Sequence, residues 1–228
     1  MCKYCLGFLF ALAISTCNSK KESKESFLVA AVFSVPVGIA AEGKILYAPC
    51  APCHGSAGEG NKKLNAPALT NIESWYLYRQ LMNFKKGIRG GSTQDSIGYQ
   101  MAAMANTLKD SIAVSHVVAY VKAMPPVAIP AFTSGDVRKG EQYYQTICGS
   151  CHGPRAVGNE KMNAPRLSGL DDWYIERQLI NFKKSIRGVH PRDILGAQMI
   201  PMVALLPNDQ AVHDVIAYIR STSEPAAR

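Results

Sequence analysis

The sequence lacks an apolar run of the roughly 18 to 20 residues that an ordinary membrane-spanning helix requires. It also lacks the strict alternation of apolar and polar residues that is typical of half-buried β-strands. Charged residues make up only 18% of the chain and hydrophobic residues 47%, a balance that excludes an intrinsically disordered protein. The 228 residues therefore predict one medium-sized or two small globular domains that are helical.

Acidic residues are the minority among the charged ones, with 17 Asp and Glu against 25 Lys and Arg and a formal net charge of +8. This excess is modest for the chain length, and no basic arm or nucleic-acid-binding motif accompanies it. We therefore expect no nucleic-acid partner. A basic balance also suits docking onto an acidic protein.

Cysteine is also scarce, and its placement is informative. Three of the seven cysteines lie within the first 17 residues. The other four form two CxxC pairs, each followed at once by histidine, namely Cys50-Ala-Pro-Cys53-His54 and Cys148-Gly-Ser-Cys151-His152.

Residues 1–41 are predicted to be an export leader. The apolar stretch that ends in Gly-Ile-Ala-Ala is typical of a secretory signal, with cleavage near Ala40 or Ala41. An earlier apolar stretch precedes Cys17, so a lipid-anchored form on Cys17 is the alternative, and a retained membrane tether is a third. We expect a periplasmic protein that, if anchored, associates peripherally with the membrane.

The rest of the chain is a tandem repeat with a shift of 98 residues. Beyond the two CxxCH segments, this shift aligns an Asn-Ala-Pro loop, an aromatic segment with Arg-Gln-Leu, an Asn-Phe-Lys-Lys segment and a Met-x-x-Met segment; these are 65–67 with 163–165, 75–81 with 173–179, 83–86 with 181–184 and 101–104 with 199–202. Two copies are too few for a solenoid, so the repeat predicts two copies of one small domain. The predicted domains are residues 42–126 and 137–228, joined by an extended Pro-rich linker at 127–136.

The spacing of apolar residues inside each copy is helical. Ala113, Val114, Val117, Val118 and Val121 recur at the spacing of one helix face, as do the matching residues of the second copy. Asp110 and Asn208 stand just before these stretches and are predicted N-caps. Further helices are predicted at 43–50 and 140–148 and at 74–86 and 172–184, so the fold class is all-α.

The CxxCH spacing suits covalent attachment of haem. Two thiols three residues apart can form thioethers with the two vinyl groups of one porphyrin, and the adjacent histidine can then bind the iron. A thioredoxin-like dithiol requires a βαβ unit, which the sequence does not show, and a shared zinc requires pairs that are much closer along the chain. A structural disulfide is a further alternative in an exported protein. The repeated motif predicts two covalently bound haem c groups, with His54 and His152 as axial ligands.

The repeat also indicates the second axial ligand. His116, His190 and His213 have no histidine at the matching position of the other copy, whereas two methionines of each copy do match. A His/Met pair is therefore favoured over His/His, and it raises the reduction potential. Spacing alone leaves open which methionine binds and which packs in the core; the pairs are Met101 or Met104, and Met199 or Met202.

These residues resemble the cytochrome c4 family, which consists of exported dihaem c-type cytochromes. The resemblance covers essentially the whole chain after the leader and rests on the two CxxCH sites, the Asn-Ala-Pro-x-Leu loops, the Arg-Gln-Leu helices and the Met-x-x-Met segments. It implies two tandem cytochrome c-like helical domains, each wrapped around one covalent haem. The chain departs from the family where the last helix begins, with Lys109-Asp110 and Pro207-Asn208 in place of the common Ser-Asp.

The resemblance also implies roles for particular residues. It favours Met101 and Met199 as iron ligands, with Met104 and Met202 as alternates. It further implies that the carbonyls of two prolines in the Asn-Ala-Pro loops accept a hydrogen bond from the ligand histidines, which fixes the ring and strengthens its donation to the metal; these are Pro67 and Pro165.

Four repeated arginines are further candidates for the haem site, as are the repeated aromatic residues before them. They could pair with haem propionates, but solvated charge is the commoner role for such arginines and is expected here. The residues concerned are Arg79 with Arg177, Arg89 with Arg187, Trp75 with Trp173 and Tyr76 with Tyr174.

The expected function is one-electron transfer without catalysis, because six-coordinate iron offers no open position to a substrate. The donor would be a respiratory membrane complex or an exported dehydrogenase, and the acceptor a terminal oxidase or reductase. The alternative is a dihaem electron-accepting subunit of an exported oxidoreductase such as a flavocytochrome sulfide dehydrogenase. A peroxidase would need an open iron, and the repeated methionines argue against one.

Overall fold

The computed structural model describes residues 35–223. The predicted leader up to residue 34, including Cys17, and residues 224–228 lie outside this range. Within 35–223 the chain is helical, and its only β-pairings are two isolated bridges, Asn61 with Ala66 and Asn159 with Ala164. No helix in this part of the chain is long and apolar enough to cross a membrane.

The two copies fold into corresponding helices, which confirms the predicted all-α class. In the first domain these are α1 (Ala40–Tyr47), α2 (Ala51–His54), a 3₁₀ turn (Lys62–Leu64), α3 (Ser74–Lys85), α4 (Ser96–Asn106) and α5 (Ser111–Ala123). In the second they are α6 (Val137–Tyr143), a π-helical turn (Tyr144–Cys148), α7 (Gly149–His152), a 3₁₀ turn (Glu160–Met162), α8 (Asp172–Lys183), α9 (Ile194–Ala197), α10 (Met199–Ala204) and α11 (Asp209–Ser221).

The last helix of each domain forms the core, as its apolar spacing predicts. Val114 and Val121 are fully buried in α5, as is Ile216 in α11. Asp110 caps α5 by accepting hydrogen bonds from the amides of Ile112 and Ala113, at 3.0 and 2.9 Å. Asn208 caps α11 through the amide of Ala211 at 2.9 Å, so both predicted caps are present.

The first and last helices of each domain cross at a glycine. A Cβ on Gly43 would lie 1.9 Å from the carbonyl oxygen of His116, and one on Gly140 would lie 1.8 Å from that of Asp214. Only a residue without a side chain allows the two backbones to approach this closely. These two contacts fix α1 on α5 and α6 on α11.

The second domain carries one more residue than the first just before its CxxCH segment. The shift between the copies is 97 at Tyr47 and Tyr144 but 98 at the cysteines, and the extra residue is absorbed by the π-helical turn. The hydroxyls of the two tyrosines donate to the carbonyls of Gly55 and Gly153, both at 2.9 Å. The CxxCH segment is therefore anchored in the same way in both domains.

The Met-x-x-Met segments are helical, which the sequence analysis did not predict. In the first domain the segment lies within the continuous helix α4. In the second domain the segment lies within α10, and the helix that corresponds to α4 is divided into α9 and α10 at Gln198. Pro201 explains the break, because proline has no amide hydrogen to donate to the carbonyl of Ala197 and its ring crowds that carbonyl.

Residues 127–136, the predicted linker, form hydrogen bonds with both domains. No helix occurs between residues 127 and 136. The carbonyl of Val127 accepts a hydrogen bond from Asn71 in the first domain at 3.0 Å. The amides of Phe132 and Thr133 donate to the buried carboxylate of Asp172 in the second, at 2.7 and 2.8 Å.

Candidate functional site

The two CxxCH segments form short helices that end on buried histidines. His54 and His152 are 5% and 6% exposed. Each is followed by a glycine with positive φ, 82° at Gly55 and 78° at Gly153, where the chain turns away. Of the cysteines, Cys53 is exposed and the other three are half-buried.

Each buried imidazole is oriented by a prolyl carbonyl. The Nδ1 atom of His54 lies 2.8 Å from the carbonyl oxygen of Pro67, and that of His152 lies 2.7 Å from the oxygen of Pro165. A carbonyl can only accept, so Nδ1 carries the proton and Nε2 keeps its lone pair for a metal. Burial lowers the pKa of both histidines below 6.5, which favours the neutral form that a metal ligand requires.

The first cysteine of each pair lies in an apolar environment. Burial, together with the neighbouring cysteine of the pair, raises the pKa of Cys50 to about 11 and that of Cys148 to about 12. Both are therefore neutral thiols at ordinary pH. A thioether is also uncharged, so this environment suits the product of haem attachment as well.

A cavity of about 580 Å³ brings the predicted ligands of the second domain together. Its wall includes Cys148, Cys151, His152 and both candidate methionines, Met199 and Met202. The remaining wall is largely apolar, with Leu167, Leu170, Ile175, Phe182 and Val215 among its residues. A volume of this size lies in the range of ligand and cofactor sites, and an apolar wall suits a porphyrin ring.

The two methionines of each copy differ in burial in the same way. Met101 and Met199 are half-buried, and Met199 packs against the hydrophobic core. Met104 and Met202 are each 37% exposed. Both methionines of the second copy line the cavity, so the choice of Met101 and Met199 as ligands stays a prediction.

The expectation that the repeated arginines are solvated is wrong. Arg79, Arg89 and Arg187 are 6%, 7% and 8% exposed, and Arg177 is half-buried. All four lie at the interface between the domains and donate hydrogen bonds across it. Spacing within one copy could not reveal this, because each arginine also has hydrogen-bond acceptors in the other copy.

Arg89 and Arg187 form the centre of the interface with neutral partners. Arg89 donates to Gln80 of its own domain at 2.9 Å and to Gln178 of the other at 2.8 Å. Arg187 donates to the same two glutamines, at 3.1 and 2.8 Å. The hydroxyls of Tyr174 and Tyr76 accept from Arg89 and Arg187, at 3.2 and 2.9 Å. The glutamines were not singled out from the sequence, although their repeated Arg-Gln-Leu setting was visible.

The buried Nε nitrogens of Arg89 and Arg187 show that the residues of the site fit a haem. The Nε atoms of Arg89 and Arg187 are buried and have no hydrogen-bond partner among the described residues. A buried guanidinium nitrogen without a partner is unfavourable, so an anionic acceptor belongs there. Arg187 lines the cavity that holds the CxxCH residues of its domain. Haem propionates supply such an acceptor, and the residues therefore fit the group.

Comparison with known proteins agrees with this fit. The family model for cytochrome c matches the chain twice, over residues 40–125 and 137–223. Each match contains one CxxCH segment, one Asn-Ala-Pro loop and one pair of candidate methionines. The chain therefore belongs to the cytochrome c family.

Individual relatives indicate which type of cytochrome c this chain resembles. Cytochrome c4 of Azotobacter vinelandii is 29% identical over 160 residues, which cover 66% of this chain and 75% of that protein. The crystal structure of reduced cytochrome c4 from Pseudomonas stutzeri has 26% sequence identity and a TM-score of 0.61, and covers 81% of this chain and 98% of that one. The thiosulfate dehydrogenase electron acceptor of Thiomonas intermedia is 30% identical over 68% of this chain and 72% of that protein. The chain is thus a cytochrome c4-like electron-transport protein with two covalent haem c groups.

Proposed function

We propose that this protein is a periplasmic one-electron carrier between a respiratory donor and a terminal oxidase or reductase. The donor would be a membrane complex or an exported dehydrogenase. When bound, each haem iron would accept and release one electron. The chain supplies the ligands, excludes water and orients the histidine rings.

The proposal rests chiefly on the cavity of the second domain, whose wall carries both an imidazole and thioether sulfurs. His152 with Met199 would close both faces of one iron, as His54 with Met101 would in the first domain; Met202 and Met104 are the alternates. An iron closed on both faces offers no position to a substrate, which supports a carrier without catalytic activity.

The carrier role is tested with the purified, chemically reduced protein and membranes of the native host. We expect the membranes to oxidise both haems, and cyanide acting on the terminal oxidase to stop the oxidation. The protein itself should bind cyanide or carbon monoxide only slowly. Absence of oxidation by the membranes would contradict the role, and rapid cyanide binding to the protein would indicate an open iron.

A second candidate is the dihaem electron-accepting subunit of an exported oxidoreductase, such as a flavocytochrome sulfide dehydrogenase. Relatives named as thiosulfate dehydrogenase electron acceptors favour this type of role. Co-purification of a stoichiometric flavoprotein from the host would support it. A monodisperse, haem-only species would support the free carrier.

We also propose that the leader directs export, with cleavage near Ala40 or Ala41 and lipidation at Cys17 as the alternative. Helix α1 begins at Ala40, so this cleavage removes at most its first two residues, together with the hydrogen bond that the amide of Ile39 donates to His116 Nδ1 at 2.8 Å. The intact mass of protein isolated from the periplasm identifies the mature N-terminus. A mass that includes residues 1–41 would contradict cleavage.

A further inference from the structure

Each domain contacts the loop of the other domain that orients the axial histidine. We call residues 65–68 and 163–166 the His-acceptor loops, because they contain Pro67 and Pro165. These carbonyls lie 2.8 and 2.7 Å from Nδ1 of His54 and His152. Hydrogen bonds from the opposite domain reach both sides of each proline.

The loop of the second domain is held by Arg79 and Glu73 of the first. The guanidinium of Arg79 donates to the side-chain oxygen of Asn163 at 3.1 Å and to its carbonyl at 3.0 Å. The carboxylate of Glu73 accepts from the amide of Arg166 at 2.7 Å. Pro165 lies between these two attachment points.

The loop of the first domain is held in the same way by the second. Arg177 donates to the side-chain oxygen and the carbonyl of Asn65, at 3.0 and 2.9 Å. The carboxylate of Asp171 accepts from the amide of Ala68 at 2.8 Å. The arrangement is therefore built twice, from matching residues of the repeat.

The backbone conformation of Asn65 and Asn163 explains why the arginine contacts are needed. Asn65 and Asn163 have φ of 58° and 57°, in the left-handed region. Side-chain-bearing residues enter this region at a cost, although asparagine tolerates it better than most, and they remain there when surrounding contacts fix them. Each two-point arginine contact fixes one of these residues.

The position of Arg79 relates this contact directly to the haem site. Arg79 is 6% exposed, stacks 4.8 Å above the ring of Trp75 and lines the cavity of the second domain, although it belongs to the first. The ring of Trp75 therefore holds the Arg79 side chain within the first domain, while its hydrogen bonds fix Asn163 in the second.

We propose that each domain positions the axial histidine of the other. Arg79 and Glu73 fix the Pro165 carbonyl and through it the ring of His152, and Arg177 and Asp171 do the same for His54 through Pro67. These are positioning residues and do not touch the iron. The hydrogen bond to the distal nitrogen of a ligand histidine sets its donor strength, so the potential of each haem depends on the docking of the other domain. The proposal requires that His54 and His152 bind iron, and it is independent of the redox partners.

The test is hydrogen exchange of the two ring Nδ1 protons in the full two-haem protein with ¹⁵N-labelled histidine. In Arg79→Gln the His152 proton should exchange about tenfold faster, as expected for loss of a supporting hydrogen-bonded contact, while the His54 proton keeps its rate. Arg177→Gln should give the reverse. In each variant the unaffected histidine serves as the internal control.

Two further variants serve as controls. The first separates the positive charge of Arg79 from its two-point contact with Asn163, and the second shows whether any loss of a surface arginine accelerates exchange. Arg79→Lys keeps the positive charge but not the two-point contact, so it should also accelerate exchange at His152. The exposed Arg138→Gln should change neither histidine. In Arg79→Gln the potential of the second-domain haem should shift more than that of the first; each is assigned in chains that lack the thioether cysteines of the other domain.

Unchanged exchange at His152 in both Arg79 variants would overturn the proposal, as would equal acceleration at both histidines. If the Arg79 variants do not accumulate, Glu73→Ala tests the other attachment point with the same expected and contradicting results. The absorbance spectrum confirms in each case that both haems remain attached.

Discussion

At the residue scale, the haem sites depend on two buried imidazoles that are held neutral and correctly oriented. Burial lowers the pKa of His54 and His152, and the prolyl carbonyls hold the proton on Nδ1. Each ring therefore offers Nε2 to the metal without further rearrangement. Each copy offers two methionines as the sulfur ligand.

Replacing the four methionines one at a time identifies the sulfur ligands. Ferric haem bound by a thioether sulfur has a weak far-red absorption band, and each haem should contribute half of it. We expect Met101→Ala and Met199→Ala each to remove half of the band and to open one iron to cyanide.

Met104→Ala and Met202→Ala are the matched controls and should leave the band intact. Loss of half the band in Met104→Ala, with an unchanged band in Met101→Ala, would reverse the assignment for the first domain.

Asp171 should give the protein a distinctive dependence of stability on pH. Burial raises its pKa above 3.8. Between 3.8 and this raised value the folded state binds a proton that the unfolded state does not, so the unfolding free energy should decrease as pH rises through the window.

Urea denaturation of the wild type and of Asp171→Asn at a series of pH values measures this contribution. The difference in unfolding free energy between the two proteins should change across the window and be constant above it. A constant difference throughout would show that the carboxylate has an ordinary pKa.

Sequence alone predicts the roles of the cysteines and histidines, because attachment to one porphyrin dictates their spacing. It did not predict the burial of Arg79, Arg89 and Arg187. Burial of a guanidinium depends on acceptors from another part of the chain, and here the acceptors of the interface come largely from the other copy.

At the element scale, the glycine crossings determine how closely the terminal helices of each domain pack. Gly140→Ala would place a methyl group against the backbone of α11 at Asp214, and Gly43→Ala would do the same at His116 on α5. Overpacking of this kind typically costs about 1 to 3 kcal/mol of unfolding free energy.

Chemical denaturation of the haem-loaded variants should show this loss for both glycines. Glu42→Ala changes an exposed residue on α1 and is the control, with an expected change within about 0.5 kcal/mol. Wild-type stability of Gly43→Ala and Gly140→Ala would show that the helices can separate without penalty.

The elements that the sequence predicted well are those whose ends carry local signals. Helices α5 and α11 combine a regular apolar face with an N-cap at Asp110 and Asn208. Helix α4 was not predicted, because Pro201 in the matching segment of the second copy argues against a continuous helix. The π-helical turn accommodates one inserted residue of the second copy. The insertion can be seen in the sequence, because the shift between the copies is 97 at Tyr47 and Tyr144 but 98 at the cysteines.

At the scale of the whole molecule, the two domains are joined through a buried, positively charged interface. Arg89 and Arg187 share the amide oxygens of Gln80 and Gln178, and the Nε of each has no hydrogen-bond partner within residues 35–223. This arrangement places positive charge beside the cavity of the second domain, which Arg187 lines.

Arg187→Gln should lower the potential of the second-domain haem. A nearby positive charge favours the reduced iron, which carries one positive charge fewer, so its removal favours the oxidised state. Spectroelectrochemical titration measures the shift. The exposed Arg138→Gln removes the same charge from the surface of this domain and should have a much smaller effect because water screens it. Equal shifts in the two variants would mean that Arg187 is not close to the haem.

The most direct test of the account is quantification of covalent haem per chain together with the visible and near-infrared spectrum of the oxidised protein. We expect two thioether-linked haems for each polypeptide and a far-red sulfur band of the intensity given by two low-spin irons. A chain with fewer than two covalent haems, or a high-spin spectrum without the sulfur band, would contradict it.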